Sequence, residues 1–172
     1  MTAAERRDKL LVLLKDAKGP ISASILAKNL SVSRQIIVND IALLRASGSD
    51  ILATARGYIF SPSAQDKGRL YTIACSHNAQ QTQAELYAIV DSGCTVKDVI
   101  VEHPIYGQMT GVLEISNRFD VDQFIKKLHM PDVVPLSALT DGVHLHTIAC
   151  PDDAHFELVK RSLTELGILF SD

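Results

Sequence analysis

The chain has 172 residues, 47% hydrophobic and 22% charged, with a formal net charge of −3, the profile of an ordinary globular protein of one or two domains. No apolar run approaches the ~20 residues of a membrane span, and the opening stretch MTAAERRDKLLVLLKDAK is broken by charge throughout, so a cytoplasmic protein without a membrane partner is expected. Cys75, Cys94 and Cys150 lie far apart with no CxxC pair, which speaks against a disulfide framework or a zinc knuckle and for three small buried thiols.

The charge is unevenly divided. Residues 1–60 hold nine Lys or Arg against five Asp or Glu, a balance of +4, and the remainder holds eight against fifteen, a balance of −7. A cationic nucleic-acid reader joined to an acidic sensing domain has this distribution, because phosphate neutralisation supplies much of DNA affinity.

Residues 3–17 read as a first helix whose Leu10, Leu11, Leu13 and Leu14 can cover the pair of helices after it. Residues 21–48, ISASILAKNLSVSRQIIVNDIALLRASG, read as that pair, two short helices around a tight corner at Ser31-Val32-Ser33. Ser22 is placed to cap the first, in which Ile25, Leu26 and Leu30 recur at helical spacing, and Ser33 to cap the second. In that second helix Ile37, Ile41 and Leu44 fall at i, i+4 and i+7 and point to a core, leaving Arg34, Gln35, Val38, Asn39, Ala42 and Arg45 on or near the opposite side. An ordinary helical hairpin with a solvated face would show the same spacing. The helix upstream and a hairpin downstream favour a DNA reader: residues 51–53 and 58–60 flank Thr54-Ala55-Arg56-Gly57 and form a wing. Arg56 is then placed for phosphate or the minor groove, and Gly57 supplies the tight backbone of the turn. Residues 1–60 are therefore expected to be a winged helix-turn-helix domain for double-stranded operator DNA. Its DNA face comprises Ser33, Arg34, Gln35, Val38, Asn39, Arg45 and Arg56, with Arg34 and Gln35 in the first turn of the recognition helix, where they reach base edges.

Residues 61–69, SPSAQDKGR, lack any hydrophobic period and read as a linker. Residues 70–172 form a second domain. Strands are expected at 70–76, 96–102, 109–115 and 143–149, and helices at 82–91, from Asp120 to about His129, and from Asp152 or Asp153 to Leu166. Phe124, Ile125 and Leu128 face inward on the middle helix, and Phe156, Val159 and Leu163 on the last. The order β-α-β-β-α-β-α is that of a split βαβ sandwich with one added helix. The whole chain is thus of the α+β class: an N-terminal winged helix-turn-helix and a C-terminal α/β sandwich with an antiparallel or mixed sheet.

One constellation in this second domain carries chemistry. His77 ends the first strand, Glu85 comes next on the helix, and GVHLHTIAC puts His144 and His146 on one face of the last strand. Three imidazoles and a carboxylate suit one divalent transition metal per chain, Ni, Zn, Fe or Mn, with positions left for water or a small ligand. A His-x-His pair is also what a polar stripe on a solvated strand face looks like. Glu85 beside a metal-bound water would suit a hydrolase, yet HExxH, GxSxG and GxxxxGK[ST] are all missing from the sequence. His103 in VEHPIYG, Tyr106 and Arg118 are candidates for gripping an anionic aromatic ligand, against the plainer alternatives of a loop histidine and a surface charge.

Taken together, SVSRQIIVNDIALLRASG with ILATARGYIF, and SHNAQQTQAELYAIVDSG with VIVEHPIYG and GVHLHTI, resemble the niacin-responsive transcription repressors, which join a winged helix-turn-helix of biotin-repressor type to a 3H domain. The resemblance covers nearly the whole chain. It implies a metal held by His77, Glu85, His144 and His146, nicotinic acid as corepressor, and control of genes for NAD synthesis or niacin uptake. The resulting expectation is a homodimer whose C-terminal domains set two winged domains about one helical turn, ~34 Å, or a multiple of it apart. A regulator that senses the metal itself is the second expectation, and a metal hydrolase with a DNA-binding appendage the third.

Overall fold

A computed structural model describes residues 1–60 and 68–171. Contacts divide the chain into two units, Met1–Gln65 and Asp66–Asp172. Of the expected linker, residues 61–67 lie outside the described residues, and Arg69 already belongs to a strand.

In the first unit α1 (Ala3–Asp16) opens on a capping box, in which the Thr2 hydroxyl accepts from the Glu5 N–H and the Glu5 carboxylate accepts from the Thr2 N–H. Ser22 caps α2 (Ala23–Leu30) and Ser33 caps α3 (Arg34–Ala46), each hydroxyl accepting a backbone N–H at 3.3 Å. Between them Ser31 takes the left-handed conformation, φ 54°, that turns the corner. Leu10, Leu14, Leu26, Leu30, Ile37, Ile41, Leu44 and Ile51 bury together as one apolar core. Ile25 is not part of it. The buried stripe of α2 runs through Ala23, Leu26, Ala27 and Leu30, which leaves Ile25 54% exposed. A buried carboxylate that hydrophobic periodicity does not reveal ties α3 to α1: Asp40 accepts from Arg6 at 2.5 Å and lies 3.7 Å from Arg7.

The wing is β1 (Ile51–Thr54) and β2 (Gly57–Phe60), antiparallel, with Thr54 opposite Gly57. Gly57 is required by more than the turn. Ile21 and Tyr58 exchange backbone hydrogen bonds of 2.8 and 2.9 Å, and a Cβ on Gly57, φ 137°, would stand 2.3 Å from the Ile21 carbonyl oxygen.

The second unit contains β3 (Arg69–Ser76), α4 (Thr82–Asp91), β4 (Thr95–His103), β5 (Gly107–Ile115), α5 (Arg118–Leu128), β6 (Val143–Cys150) and α6 (Asp153–Glu165). The sheet order is β3-β6-β4-β5 with every neighbouring pair antiparallel. Hence β3 and β4 run parallel with β6 between them, and β5 and β6 run parallel with β4 between them: two interleaved split βαβ units. β6 alternates strictly, with His144, His146, Ile148 and Cys150 buried and Val143 and Leu145 exposed. The buried residues meet Ile73 and Cys75 of β3, and the core continues through Leu86, Ile89, Val121, Val159 and Leu163 of the helices. Phe124, Ile125, Leu128 and Phe156 are half-buried. Short 3-10 turns at Ala79–Gln81 and Leu136–Thr140 precede α4 and β6.

Two expectations need correction. The helix expected to start with Asp120 as its cap starts at Arg118 and is capped by Asn117, whose side chain accepts from the Asp120 N–H, while the Asp120 carboxylate reaches back to the Ser116 N–H. Cys94 and Cys150 are joined as a disulfide, leaving Cys75 as the free, buried thiol. Thr95 lies opposite Ala149 in the β4–β6 ladder, so the residues just beyond them face each other with Cα atoms 4.5 Å apart. Sequence spacing does not reveal that adjacency. No helix among the described residues is long and apolar enough to cross a membrane.

Candidate metal centre and DNA-binding face

The end of β3, the first turns of α4 and the start of β6 converge on one buried carboxylate. Glu85 Oε2 lies 2.7 Å from His77 Nε2, and Oε1 lies 3.0 Å from His144 Nε2 and 3.4 Å from His146 Nε2. All four side chains are at most 3% exposed. The His-x-His pair is therefore buried, not a stripe on a solvated face.

What fixes the rings is their other nitrogen. Nδ1 of His77, His144 and His146 meets the backbone carbonyls of Asn78 at 2.6 Å, Gly142 at 2.8 Å and Asp98 at 2.6 Å. A carbonyl only accepts, so each Nδ1 carries the hydrogen and each neutral ring turns the lone pair of Nε2 inward. Asp98 sits where β4 shifts register against β6, and its carboxylate also accepts the Thr147 N–H at 2.8 Å. Gly142, φ 91°, is needed for the close approach on the other side: a Cβ there would stand 2.3 Å from the His77 carbonyl oxygen.

Three inward lone pairs around a carboxylate are acceptors facing an acceptor. Without a cation, the cluster coheres only if the rings take up extra protons. Burial pushes His77 and His146 down, but the Glu85 carboxylate, hydrogen-bonded to His77 and 3.4 Å from His146 Nε2, outweighs it and holds both above the ordinary imidazole value. Burial pushes Glu85 up, and the charge of His146 with hydrogen bonds from His144 and His77 holds it well below the carboxylate range. Even so, His146 Nε2 has no hydrogen-bond partner among the described residues. An orphaned buried nitrogen beside a carboxylate and two further imidazoles fits a borderline divalent cation, which would accept all three lone pairs and oppose the charge of Glu85. His77, Glu85, His144 and His146 would hold it.

Two cavities flank the cluster. One of about 440 Å³ is lined by Ile100, Val101, Glu102, Gln108, Thr140 and Val143, with His144 and Leu145. The other, about 300 Å³, borders His77, Asn78, Ser137 and Gly142. None of the expected ligand-gripping residues lines either. His103 Nδ1 accepts the Ile105 and Tyr106 N–H groups and so closes its own β4–β5 turn, with Tyr106 75% exposed. Arg118 makes two hydrogen bonds to Asp91, 2.8 and 2.6 Å, and lies over the Tyr87 ring. Of the residues that do line the larger cavity, Gln108 comes from β5 and Thr140 from the 3-10 turn before β6, and neither lies in a sequence motif.

In the first unit Ser33, Arg34, Gln35, Asn39 and Arg45 stand exposed along α3, and the Gln35 amide donates to Asn39 Oδ1 at 3.0 Å. Val38 differs, being half-buried against the core. It lies about 100° from Ile37, at the edge of the buried stripe. Arg56 is at the tip of the wing, its backbone N–H donating to Thr54 Oγ1 at 3.1 Å.

A capped recognition helix with a wing, joined in the same chain to an α/β unit with a buried polar cluster, defines a two-domain DNA-binding regulator. Residues 6–59 match the model of the HTH domain, and residues 71–172 match that of the 3H domain. The chain is 45% identical over 174 residues to the transcription repressor NadR of Bacillus subtilis (strain 168), covering 100% of this chain and 97% of that protein. It is 40% identical over 168 residues to the probable transcription repressor NiaR of Thermotoga maritima, covering 98% and 95%. The chain belongs to this family of HTH–3H transcription repressors.

Proposed function

We propose that this repressor binds operator DNA as a homodimer and that its 3H domain senses nicotinic acid through a divalent metal held by His77, Glu85, His144 and His146. The observation that carries the metal reading is the convergence of three Nε2 atoms, each ring pinned at Nδ1 by a backbone carbonyl, on the buried Glu85. When bound, the metal supplies a positive charge and open coordination positions. Nicotinate is supported by the family resemblance and by the chemistry of the larger cavity. That cavity borders His144 and has an apolar wall of Ile100, Val101, Val143 and Leu145 for a flat ring, with Gln108 and Thr140 as hydrogen-bonding groups. Among the described residues no Lys or Arg lines it, and Glu102 does, so the counter-charge for a carboxylate comes best from the metal side of the cavity.

On the DNA side Arg34 and Gln35, exposed in the first turn of α3, read base edges, and Arg56 at the wing tip meets phosphate or the minor groove. Regulation of NAD synthesis or niacin uptake genes is the corresponding role for such an effector. A second reading, a sensor of the metal alone, is favoured by the fact that four protein donors already converge without an organic ligand. A thermal-shift panel of pyridine carboxylates and amides, run with and without chelator, separates the two. The proposal expects nicotinate to raise the melting temperature only in the metal-loaded protein. Stabilisation by metal with no response to any pyridine compound leaves the second reading.

A further inference from the structure

The metal reading leaves one group beside the cluster unused. Cys75 lies directly opposite His144 in the β3–β6 ladder, with Ile73 opposite His146, so its sulfur projects to the same face as the two imidazoles. It is fully buried, and its Sγ, a Glu85 carboxylate oxygen and a His144 ring nitrogen all lie within 4.8 Å of one another. It is also the free thiol, since Cys94 and Cys150 pair with each other. The neighbouring His146 Nε2, buried and without a hydrogen-bond partner among the described residues, points independently to a ligand at this place.

We propose that Cys75 is a fifth protein ligand of the metal, so that the ion is held by three imidazoles, one carboxylate and one thiolate. Charge balance favours it. Neutral His77, His144 and His146 with ionised Glu85 around a dication leave a net charge of +1 in a site whose side chains are at most 3% exposed. A thiolate brings the total to zero, and a buried uncompensated charge is costly. As the metal–sulfur bond forms, the S–H proton leaves to solvent, as it does whenever a thiol coordinates a divalent metal. The thiolate also narrows the choice of ion: sulfur favours Zn, Ni and Co over Mn, which prefers oxygen donors.

This inference rests on the proposed metal site, and loading the full-length protein with Co(II) tests the two separately. Visible ligand-field bands report occupancy of the site, and a sulfur-to-cobalt charge-transfer band in the near ultraviolet reports the thiolate. Wild-type protein is expected to show both. Cys75→Ser and Cys75→Ala are expected to keep the ligand-field bands and lose the charge-transfer band, with Co(II) affinity lowered at least about tenfold and the preference for Zn over Mn reduced. Ligand-field bands without the charge-transfer band in the wild type overturn the Cys75 assignment and leave the four-residue site standing, with the thiol reduced to a hydrogen-bond partner of Glu85. Absence of both bands, with no stoichiometric Co(II) uptake, overturns both.

Discussion

The two units treat their polar residues in opposite ways. In the first, the core from Leu10 to Ile51 is apolar, its buried Asp40 paired with Arg6, and Arg34, Gln35, Asn39 and Arg45 stand in solvent on α3 with Arg56 part-exposed at the wing. In the second, the proposed metal-holding groups are inside: Glu85, His144 and His146 are among the few buried polar residues of the described chain. An exposed polar face costs nothing to keep and gains affinity only when phosphate and bases arrive. A buried polar cluster persists only if something satisfies it, so the hydrogen bonding of the core is itself a sign of function.

The largest effects are expected in the buried cluster. His144→Ala combined with His146→Ala should abolish stoichiometric metal, measured by elemental analysis, and should destabilise the metal-free protein by about 3–5 kcal/mol because Glu85 loses two partners. Melting of the second unit should drop while that of residues 1–60 stays in place; a variant that retains its metal would erase the contrast between the units. Arg34→Ala, on the exposed face, should leave stability unchanged but cost about 1–3 kcal/mol in operator binding and relax sequence preference. Arg56→Ala should weaken all sequences alike and lower the salt slope of binding by about one. Titration across salt concentrations on operator and random DNA separates these two variants, and a sequence-specific loss on Arg56→Ala would move the wing from phosphate to base contact.

The smallest expected effect is a dependence on pH. His77 and His146 are held above the ordinary imidazole value in the metal-free cluster, Glu85 outweighing the opposing effect of burial. Their contribution to stability is therefore complete below that ordinary value and is lost as pH rises through the raised ones. Glu85, held low, contributes above the ordinary carboxylate range and loses its contribution as pH falls through its depressed value. Chelated protein should thus melt lower as pH rises past neutrality. Metal-loaded protein should do the reverse over the same window, because metal displaces those protons. Melting curves with and without chelator that run parallel with pH would remove protons from the account of the cluster.

How much the sequence reveals depends on range. Ser22 and Ser33 cap α2 and α3 through bonds three residues long, and Ile37, Ile41 and Leu44 repeat within one helix, so the helix-turn-helix could be read locally. The types and order of the second unit's elements were readable for the same reason, and the period of two put His144 and His146 on one face of β6. The order β3-β6-β4-β5 was not, because hydrophobic alternation gives a strand its faces but not its neighbours. Everything that depends on neighbours was hidden with it: the Cys94–Cys150 pairing, Cys75 opposite His144, and the Asp98 carbonyl that orients His146. By type and sequence context alone, His103, Tyr106 and Arg118 are side chains able to grip an anion. Only the folded chain reveals that His103 serves its own turn and Arg118 serves Asp91.

If nicotinic acid acts as a corepressor, as the proposed function requires, its binding in the second unit strengthens DNA binding by the first, and thermodynamic linkage makes that coupling measurable from either side. Nicotinate affinity of the metal-loaded protein, titrated with and without saturating operator, should rise in the presence of operator by the same factor by which nicotinate tightens operator binding. Equal nicotinate affinities in the two titrations would contradict the account.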